Sequence, residues 1–403
     1  MRSNGKKVWV EIHAQAIRHN FGVIKSLLNP KTKLFAVVKS NAYGHGLILF
    51  SNLASQLGVD GFCVDSIIEG LKLRENGIKK PILVLGPTLP PNSLEEAFRS
   101  KITLTVSNFE ALDRFMRSKY KPDFHIKIDT GMHRQGFYNS ELPEVIRKVK
   151  SQKSTHSTSP SAVSSGPNGS GLILSEAEGS NVKDRLTGIY THFASAKDLN
   201  YPAFTDSQFS IFKKAIATFE KAGFRNLTKH AAATGATFIN PEYHLDAVRV
   251  GIGLYGLYPS RELELQLGSK IRLKPVLSWH SVISEIKNIK AGDYIGYDLA
   301  ERAQRPTRMA IVPIGYWHGF DRRFSDVGEV LIAGKRAKVL GKVSMDLIAV
   351  DITGVACTVG SRVTMIGSQG KEKITAQDSA QKIETTHYEM VTRINPLIER
   401  TLV

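Results

Sequence analysis

A primary amine at the end of an apolar run is a candidate for imine chemistry. Lys39 stands in such a place: Ala36-Val-Val-Lys39-Ser-Asn-Ala-Tyr43-Gly-His-Gly46 reads as a strand that stops at the lysine and passes into a glycine-bearing loop. Taken alone, a lysine at a strand end is more often a solvated side chain. In a partly dry pocket its pKa falls and the free amine can form a Schiff base with a carbonyl. His192, Thr234 and Arg249 also lie at or just past the ends of apolar runs, and Gly251-Ile252 follows the last of them. A threonine hydroxyl beside backbone N–H groups that glycine leaves approachable can cradle an oxyanion. Each has a plainer reading: a core histidine, a loop hydroxyl, an arginine paired with the nearby Asp246. Tyr297, in Gly296-Tyr297-Asp298, reads by itself as a strand-edge aromatic, since a phenol of pKa ~10 is a poor base at neutral pH.

The elements that would position these residues follow from periodicity. Strand-like runs at 34–39, 61–64, 82–86, 102–106, 124–129, 188–193, 227–232 and 247–251 alternate with helix-like periods. Helix starts between the early runs carry capping boxes, Ser66 to Glu69, Ser93 to Glu96 and Ser107 to Glu110. Eight βα repeats in roughly 220 residues predict an α/β fold, a TIM (β/α)8 barrel, whose reactive groups gather at the C-terminal ends of the strands. Lys39, His192, Thr234 and Arg249 then fall at the ends of the first, sixth, seventh and eighth strands, and Arg134 follows the fifth. Phosphate sites in this fold commonly sit near strands seven and eight. A doubly wound open sheet is the runner-up, but no G-x-G-x-x-G opens the first helix.

After Tyr258 the pattern changes to short strand-like runs at 276–289, 308–314, 329–332, 338–343, 347–352 and 361–366, with turns such as Ala333-Gly334-Lys335. A mostly β C-terminal domain over 265–403 is expected behind a barrel domain over 1–264. A segment at about 151–181 fits neither: residues 151–180 hold ten serines and no sustained period. Such a composition buries too little apolar surface to order itself, and it reads as an exposed insertion with at most a weak helix at 172–178.

With 403 residues, 42% of them hydrophobic, the chain can form a sizeable core. No apolar run approaches the ~18 residues of a membrane span, and residues 1–21 lack a signal-peptide stretch. Two cysteines, Cys63 and Cys357, make neither a disulfide framework nor a zinc site, so a reducing, cytoplasmic setting and no metal are expected. The net charge is +17. The basic residues are scattered, without an arm or a recognisable nucleic-acid motif, so the surplus reads as a surface that attracts small anions.

The run around Lys39 resembles the pyridoxal 5′-phosphate lysine signature of bacterial alanine racemases. Further matching pieces follow in order: Lys127-Ile-Asp-Thr-Gly-Met-His-Arg134, Thr191-His192-Phe-Ala, His230-Ala-Ala-Ala-Thr234, Val248-Arg249-Val-Gly251-Ile252-Gly-Leu-Tyr-Gly, Ile314-Gly-Tyr316 and Ser344-Met345-Asp346. The resemblance implies a cytoplasmic, homodimeric enzyme that interconverts L- and D-alanine through an external aldimine of pyridoxal phosphate and supplies D-alanine for peptidoglycan. It implies Lys39 as the cofactor lysine and the base on one face of the substrate. Tyr297 is implied as the base on the other face, delivered by the second subunit and held as phenolate with help from His192.

The same resemblance places Thr234, Gly251, Ile252 and Tyr388 at the cofactor phosphate, His192 against its ring, and Arg249 at the pyridine nitrogen. An arginine there cannot readily take up a proton, so the ring is a weaker electron sink than beside the carboxylate most pyridoxal enzymes use. Arg134 is implied at the cofactor phenolate and, with the Met345 N–H, at the substrate carboxylate. Lys127 is implied as a lysine the family sometimes carbamylates, and Tyr43 and Tyr316 as narrowing the entrance.

Four positions depart from the family's pattern. Ala233 stands where asparagine is frequent, Lys197 where an acid is typical, Lys342 where arginine is usual and Asp298 where glycine is common. They bear on substrate range and entrance electrostatics. A broader amino-acid or serine racemase remains the nearest alternative. A decarboxylase is disfavoured by Arg249, and a non-catalytic cofactor carrier by the region from 265 onward.

Overall fold

The computed structural model describes residues 5–87, 93–151 and 181–403. Residues 152–180 of the serine-rich segment, with the weak helix expected at 172–178, lie outside the described residues. The chain opens with β1 (Val8–Ile12) and then builds eight parallel strands. These are β2 (Lys33–Val37), β3 (Gly61–Val64), β4 (Ile82–Val84), β5 (Leu104–Val106), β6 (Phe124–Lys127), β7 (Leu186–Tyr190), β8 (Thr228–Ala233) and β9 (Ala247–Val250). Their order is β4-β3-β2-β9-β8-β7-β6-β5. The ring closes where Leu83 bridges Thr103, with Thr103 N donating to Ile82 O and Val84 N to Thr103 O, both at 2.9 Å. Strands covered by helices on one side and by barrel side chains on the other should be apolar throughout, and every residue of β3, β6 and β9 is buried.

The remaining strands are β10 (Leu277–Val282), β11 (Glu285–Ile289), β12 (Tyr294–Ile295), β13 (Glu301–Arg302), β14 (Thr307–Val312), β15 (Glu329–Ile332), β16 (Lys335–Leu340), β17 (Ile348–Asp351), β18 (Arg362–Gln369), β19 (Glu372–Ile374) and β20 (Arg400–Leu402). Most join one sheet in the order β11-β14-β17-β16-β15-β18-β10-β1-β20, with β19 on β18, while β12 and β13 form a separate hairpin.

Several local expectations need correction. Val8–Ile12 lies in the second sheet, antiparallel to β10 and parallel to β20, so this strand, expected within the barrel domain over 1–264, is not barrel. The run 276–289 is two strands, β10 and β11. The run placed at 338–343 begins at Lys335, because Ala333 and Gly334 both have positive φ (49° and 75°) and make a two-residue hairpin turn. The helix after β5 is capped by Asn108, whose Oδ1 accepts from Ala111 N, leaving Ser107 Oγ to accept from Gln135. Ser66 does cap its helix, but Glu69 sends its carboxylate to Asp65 N and Ser40 N.

Candidate active site

β2 ends at Val37, and Lys39 is followed by an unusual backbone. Ser40, Asn41, Ala42 and Tyr43 all have φ between 52° and 55°. Left-handed conformation costs an L-residue about 1–2 kcal/mol, so four in succession persist only if their surroundings over-determine them. Ala42 N donates to Val38 O at 2.8 Å and Gly44 N to Ser40 O at 3.1 Å. Asn41 Oδ1 accepts from Leu47 N at 2.8 Å, Ser40 N donates to Glu69 Oε1 at 2.6 Å, and Arg400 Nε donates to Gly44 O at 3.1 Å. Gly44 (φ 82°) is pressed against the helix His387–Thr392, where a Cβ would lie 1.9 Å from Val391 O. That close approach sets Tyr388 6.1 Å from Tyr43, ring to ring. Lys39 Nζ emerges from this turn 3.3 Å from Asp65 Oδ1.

On the opposite wall Arg249 is fully enclosed at the end of β9. Its Nη1 donates to His230 Nδ1 at 2.6 Å, and Nη2 donates to Thr191 O at 2.7 Å and Ala231 O at 2.9 Å. Its guanidinium lies 5.0 Å from the centre of the Tyr190 ring, and His192 Nδ1 is 3.5 Å from Nη2. Asp246 is not its partner; that carboxylate accepts from Lys229 N. Burial, then the Arg249 charge, push His192 and His230 well below the usual imidazole range, so both are neutral. Lys127, at the end of β6, donates to Gln135 Oε1 at 3.2 Å. Desolvation first, then Arg134 and Arg249, lower its amine to about 8.

Thr234 starts the short helix after β8, and its Oγ1 accepts from Gly251 N at 3.2 Å and Gly253 N at 3.4 Å. A Cβ on Gly251 would sit 3.0 Å from the Tyr43 hydroxyl, so glycine keeps this backbone open. Burial pushes the Tyr43 phenol up to about 12 and Tyr388 higher still.

One cavity of about 840 Å³ joins these groups at the C-terminal ends of the barrel strands. Among the described residues Lys39, Lys127, Arg134, Lys197 and Arg249 line it, against the single carboxylate of Asp65. Tyr43, His192, Ala233, Thr234, Gly251, Ile252 and Tyr388 line it as well. Such an electropositive basin suits a small ligand with more than one negative charge. Tyr297, Tyr316 and Met345 are not part of this wall; they are 65%, 44% and 54% exposed on the second sheet's loops. Those loops belong together: Tyr316 N donates to Ser344 O, and Lys342 Nζ pairs with Asp298 Oδ2 at 2.5 Å. Two of the four departures are thus partners of each other.

Reading residues by type missed His125, Tyr190 and His230 as parts of the site. His230 appeared only inside a motif, yet it carries Arg249. A signal was present, since each puts a polar ring into a strand run that reads as barrel core, and a buried polar atom must find a partner.

A parallel eight-stranded barrel with an amine at the mouth of its first strand, joined to an antiparallel β unit, defines a class of two-part barrel enzymes. Comparison narrows the class. The N-terminal domain profile of alanine racemase matches residues 12–159 and 174–259, and the C-terminal domain profile matches 276–402. The alanine racemase of Leptospira interrogans is 35% identical over 401 residues, covering 98% of this chain and 95% of the relative. That of Methanococcus maripaludis is also 35% identical, over 98% of each chain. The crystal structure of the Bacillus anthracis alanine racemase with bound L-Ala-P superposes with a TM-score of 0.86 at 31% identity, covering 99% of this chain and 95% of the other. The chain belongs to the alanine racemase family, a family of pyridoxal-phosphate-dependent isomerases.

Proposed function

We propose that this protein interconverts L- and D-alanine, using pyridoxal phosphate held at the barrel mouth of a homodimer. The observation that carries the reading is the meeting of Lys39, Arg249 and the Thr234–Gly251 pocket around one cationic cavity. The residues present fit the cofactor: the cradle a Cβ on Gly251 would obstruct suits its phosphate, and five cations against one carboxylate suit its charge. When bound, pyridoxal phosphate supplies an aldehyde that condenses with amines and a conjugated ring that delocalises the electron pair left by a departing α-proton.

The chain's own residues do the rest. Thr234, the N–H groups of Gly251 and Ile252, and Tyr388 anchor the phosphate. Arg249 faces the ring nitrogen and, being a permanent cation, keeps it unprotonated. His192 packs beside the ring as a neutral imidazole and receives a hydrogen bond from the guanidinium side. Lys39 would hold the aldehyde at rest and, once a substrate amine has displaced it, its freed amine would exchange a proton at the substrate α-carbon from one face. Arg134, with the Met345 N–H, holds the substrate carboxylate. Lys127, as a lowered-pKa amine beside Arg134, is suited to carbamylation, which converts a buried cation into an anion that steadies the guanidinium.

Inversion needs a second proton donor and acceptor on the opposite face. Tyr297 reaches that face from a second copy of the chain, because in its own chain it stands outside the cavity. The exposed apolar set of Tyr297, Leu299, Tyr316, Trp317, Met345 and Leu347 supports such a contact. The division near residue 265 then separates a cofactor-binding unit from a β unit that presents Tyr297. No described helix is long and apolar enough to cross a membrane, in keeping with a cytoplasmic enzyme that provides D-alanine for peptidoglycan. A coupled assay with L-alanine, L-serine and L-lysine, with and without pyridoxal phosphate, tests the proposal. Cofactor-dependent turnover of alanine ahead of the others supports it, and turnover of none refutes it.

A further inference from the structure

A second cavity, of about 310 Å³, lies behind the Lys39 turn, with His45 and Tyr255 on the barrel side and Glu11, His280, Arg362 and Lys373 on the side of the second sheet. Its volume is at the lower end of the range for small-molecule sites, roughly 300–1,000 Å³. The mechanism above uses none of these residues.

His45 is wholly buried and stacked on Tyr255 with ring centres 4.4 Å apart. Its Nδ1 lies 2.9 Å from Tyr43 O and 3.1 Å from Ala42 O. Both neighbours are acceptors, so Nδ1 carries the proton and donates. Nε2 therefore presents a lone pair, and it has no hydrogen-bond partner among the described residues. Burial lowers this imidazole to about 4, so the ring does not resolve the deficit by taking up a second proton. Buried acceptors are normally satisfied by protein, water or ligand, so a donor that enters the cavity finds a ready acceptor in this nitrogen. A neutral O–H suits that place better than an ammonium, which would bring an unpaired charge into an enclosed end.

The other end is charged. Glu11 is shared between Arg362 at 3.3 Å and the Trp9 indole N–H at 3.1 Å, with His280 Nε2 at 3.4 Å. His280 is held to about 4 by burial, so it adds no charge at neutral pH. Lys373 stands exposed at the rim, with no ion pair among the described residues, directly across the β18–β19 ladder from exposed Ser368. Arg362 and Lys373 against Glu11 leave one positive charge unmatched. Between the ends run apolar walls that include Leu277, Ile366 and Val391.

We propose that this cavity is a second ligand site, for a small hydroxyaryl carboxylate: hydroxyl toward His45 Nε2, ring between the apolar walls, carboxylate toward Arg362 and Lys373. The test is calorimetric titration of the holoenzyme, whose barrel mouth the cofactor fills, with 4-hydroxyphenylacetate, phenylacetate and 4-hydroxyphenylethanol. The expected result is one site per chain for 4-hydroxyphenylacetate, with each analogue lacking one polar end at least about tenfold weaker. Lys373→Met, which removes the rim cation, should weaken binding severalfold. Ser368→Phe, which narrows the rim from an exposed position, should abolish it while alanine racemisation stays unchanged in both variants. Absence of binding at millimolar concentration overturns the proposal. So does equal affinity for phenylacetate, or affinity untouched by either substitution.

Discussion

Arg249 Nη1 and His230 Nδ1 lie 2.6 Å apart, and that one contact sets the protonation of everything behind it. The guanidinium only donates, so His230 Nδ1 accepts and its proton sits on Nε2. His230 Nε2 then donates to His125 Nδ1 at 2.9 Å. A second proton on either ring would set a cation against a buried guanidinium, and burial with the Arg249 charge pushes His125 down to about 3. The chain of rings fixes the plane of Arg249 at the wall where the cofactor nitrogen is proposed to lie.

His230→Ala strips the acceptor from a buried guanidinium. Leaving such a donor unpaired costs about 1–3 kcal/mol, and the melting temperature should fall accordingly. The turnover number should drop with it, because Arg249 is free to tilt. A variant that melts and turns over like the parent would show that the contact has no positioning role.

Lys127 titrates near 8 in the folded chain, whereas a free lysine titrates near ~10.4. Between those values the native state binds fewer protons than the unfolded state, so this group makes stability rise with pH through that window. Lys127→Met should flatten the rise in denaturant titrations. The neutral amine is also the form that adds carbon dioxide. Native mass spectra in bicarbonate above pH ~8 should show one CO2 per chain that is lost on acidification and absent from Lys127→Met.

If Tyr297 serves the cavity of a second copy, two dead variants should repair each other. Lys39→Ala and Tyr297→Phe homodimers should be inactive or nearly so, the former without the cofactor's imine absorbance. Random mixing of their subunits should restore about one quarter of parental activity, since half the dimers then carry one complete site of two. No recovery in verified hybrids would place both residues in the same chain's site or remove Tyr297 from it.

Gly44→Ala should be the most damaging single methyl in the Lys39 loop. The position has φ 82°, and the new Cβ would meet Val391 O at 1.9 Å. Relief requires moving the helix that carries Tyr388, so a loss of about 3 kcal/mol or more is expected together with weaker cofactor retention. Thermal melting and dialysis against cofactor-free buffer measure both.

Asp298 and Lys342, two positions where the sequence resemblance leads one to expect glycine and arginine, are bound to each other. Asp298 also keeps a positive φ, 58°, that glycine would adopt freely. Asp298→Gly should leave the melting temperature unchanged, because an exposed ion pair contributes little. Its effect should appear in KM if the loop that carries Tyr297 closes over the cavity of a second copy as proposed, because Lys342 is then released beside that cavity. Unchanged kinetics would show the pair to be ornamental to the reaction.

Periodicity and strand-end placement carried a great deal. Apolar runs of four to six residues could become barrel strands because buried parallel strands need no polar face, and that regularity is local. Short pairs such as Tyr294–Ile295 and Glu301–Arg302 carry too few residues to show a period. Val8–Ile12 looks like any first strand; its membership in the second sheet depends on β10 and β20, hundreds of residues away.

The amino-acid order by itself determined which groups exist and at which strand ends they emerge: Lys39, His192, Thr234, Arg249 and the glycines around them. Only the folded chain decided their states. Neutral His230 and His192, the lowered Lys127 amine, the left-handed run after Lys39 and the unpaired His45 nitrogen all follow from contacts made across strands or between the two sheets. The reason is physical: covalent spacing is a property of neighbours in sequence, whereas desolvation and charge proximity belong to neighbours in space.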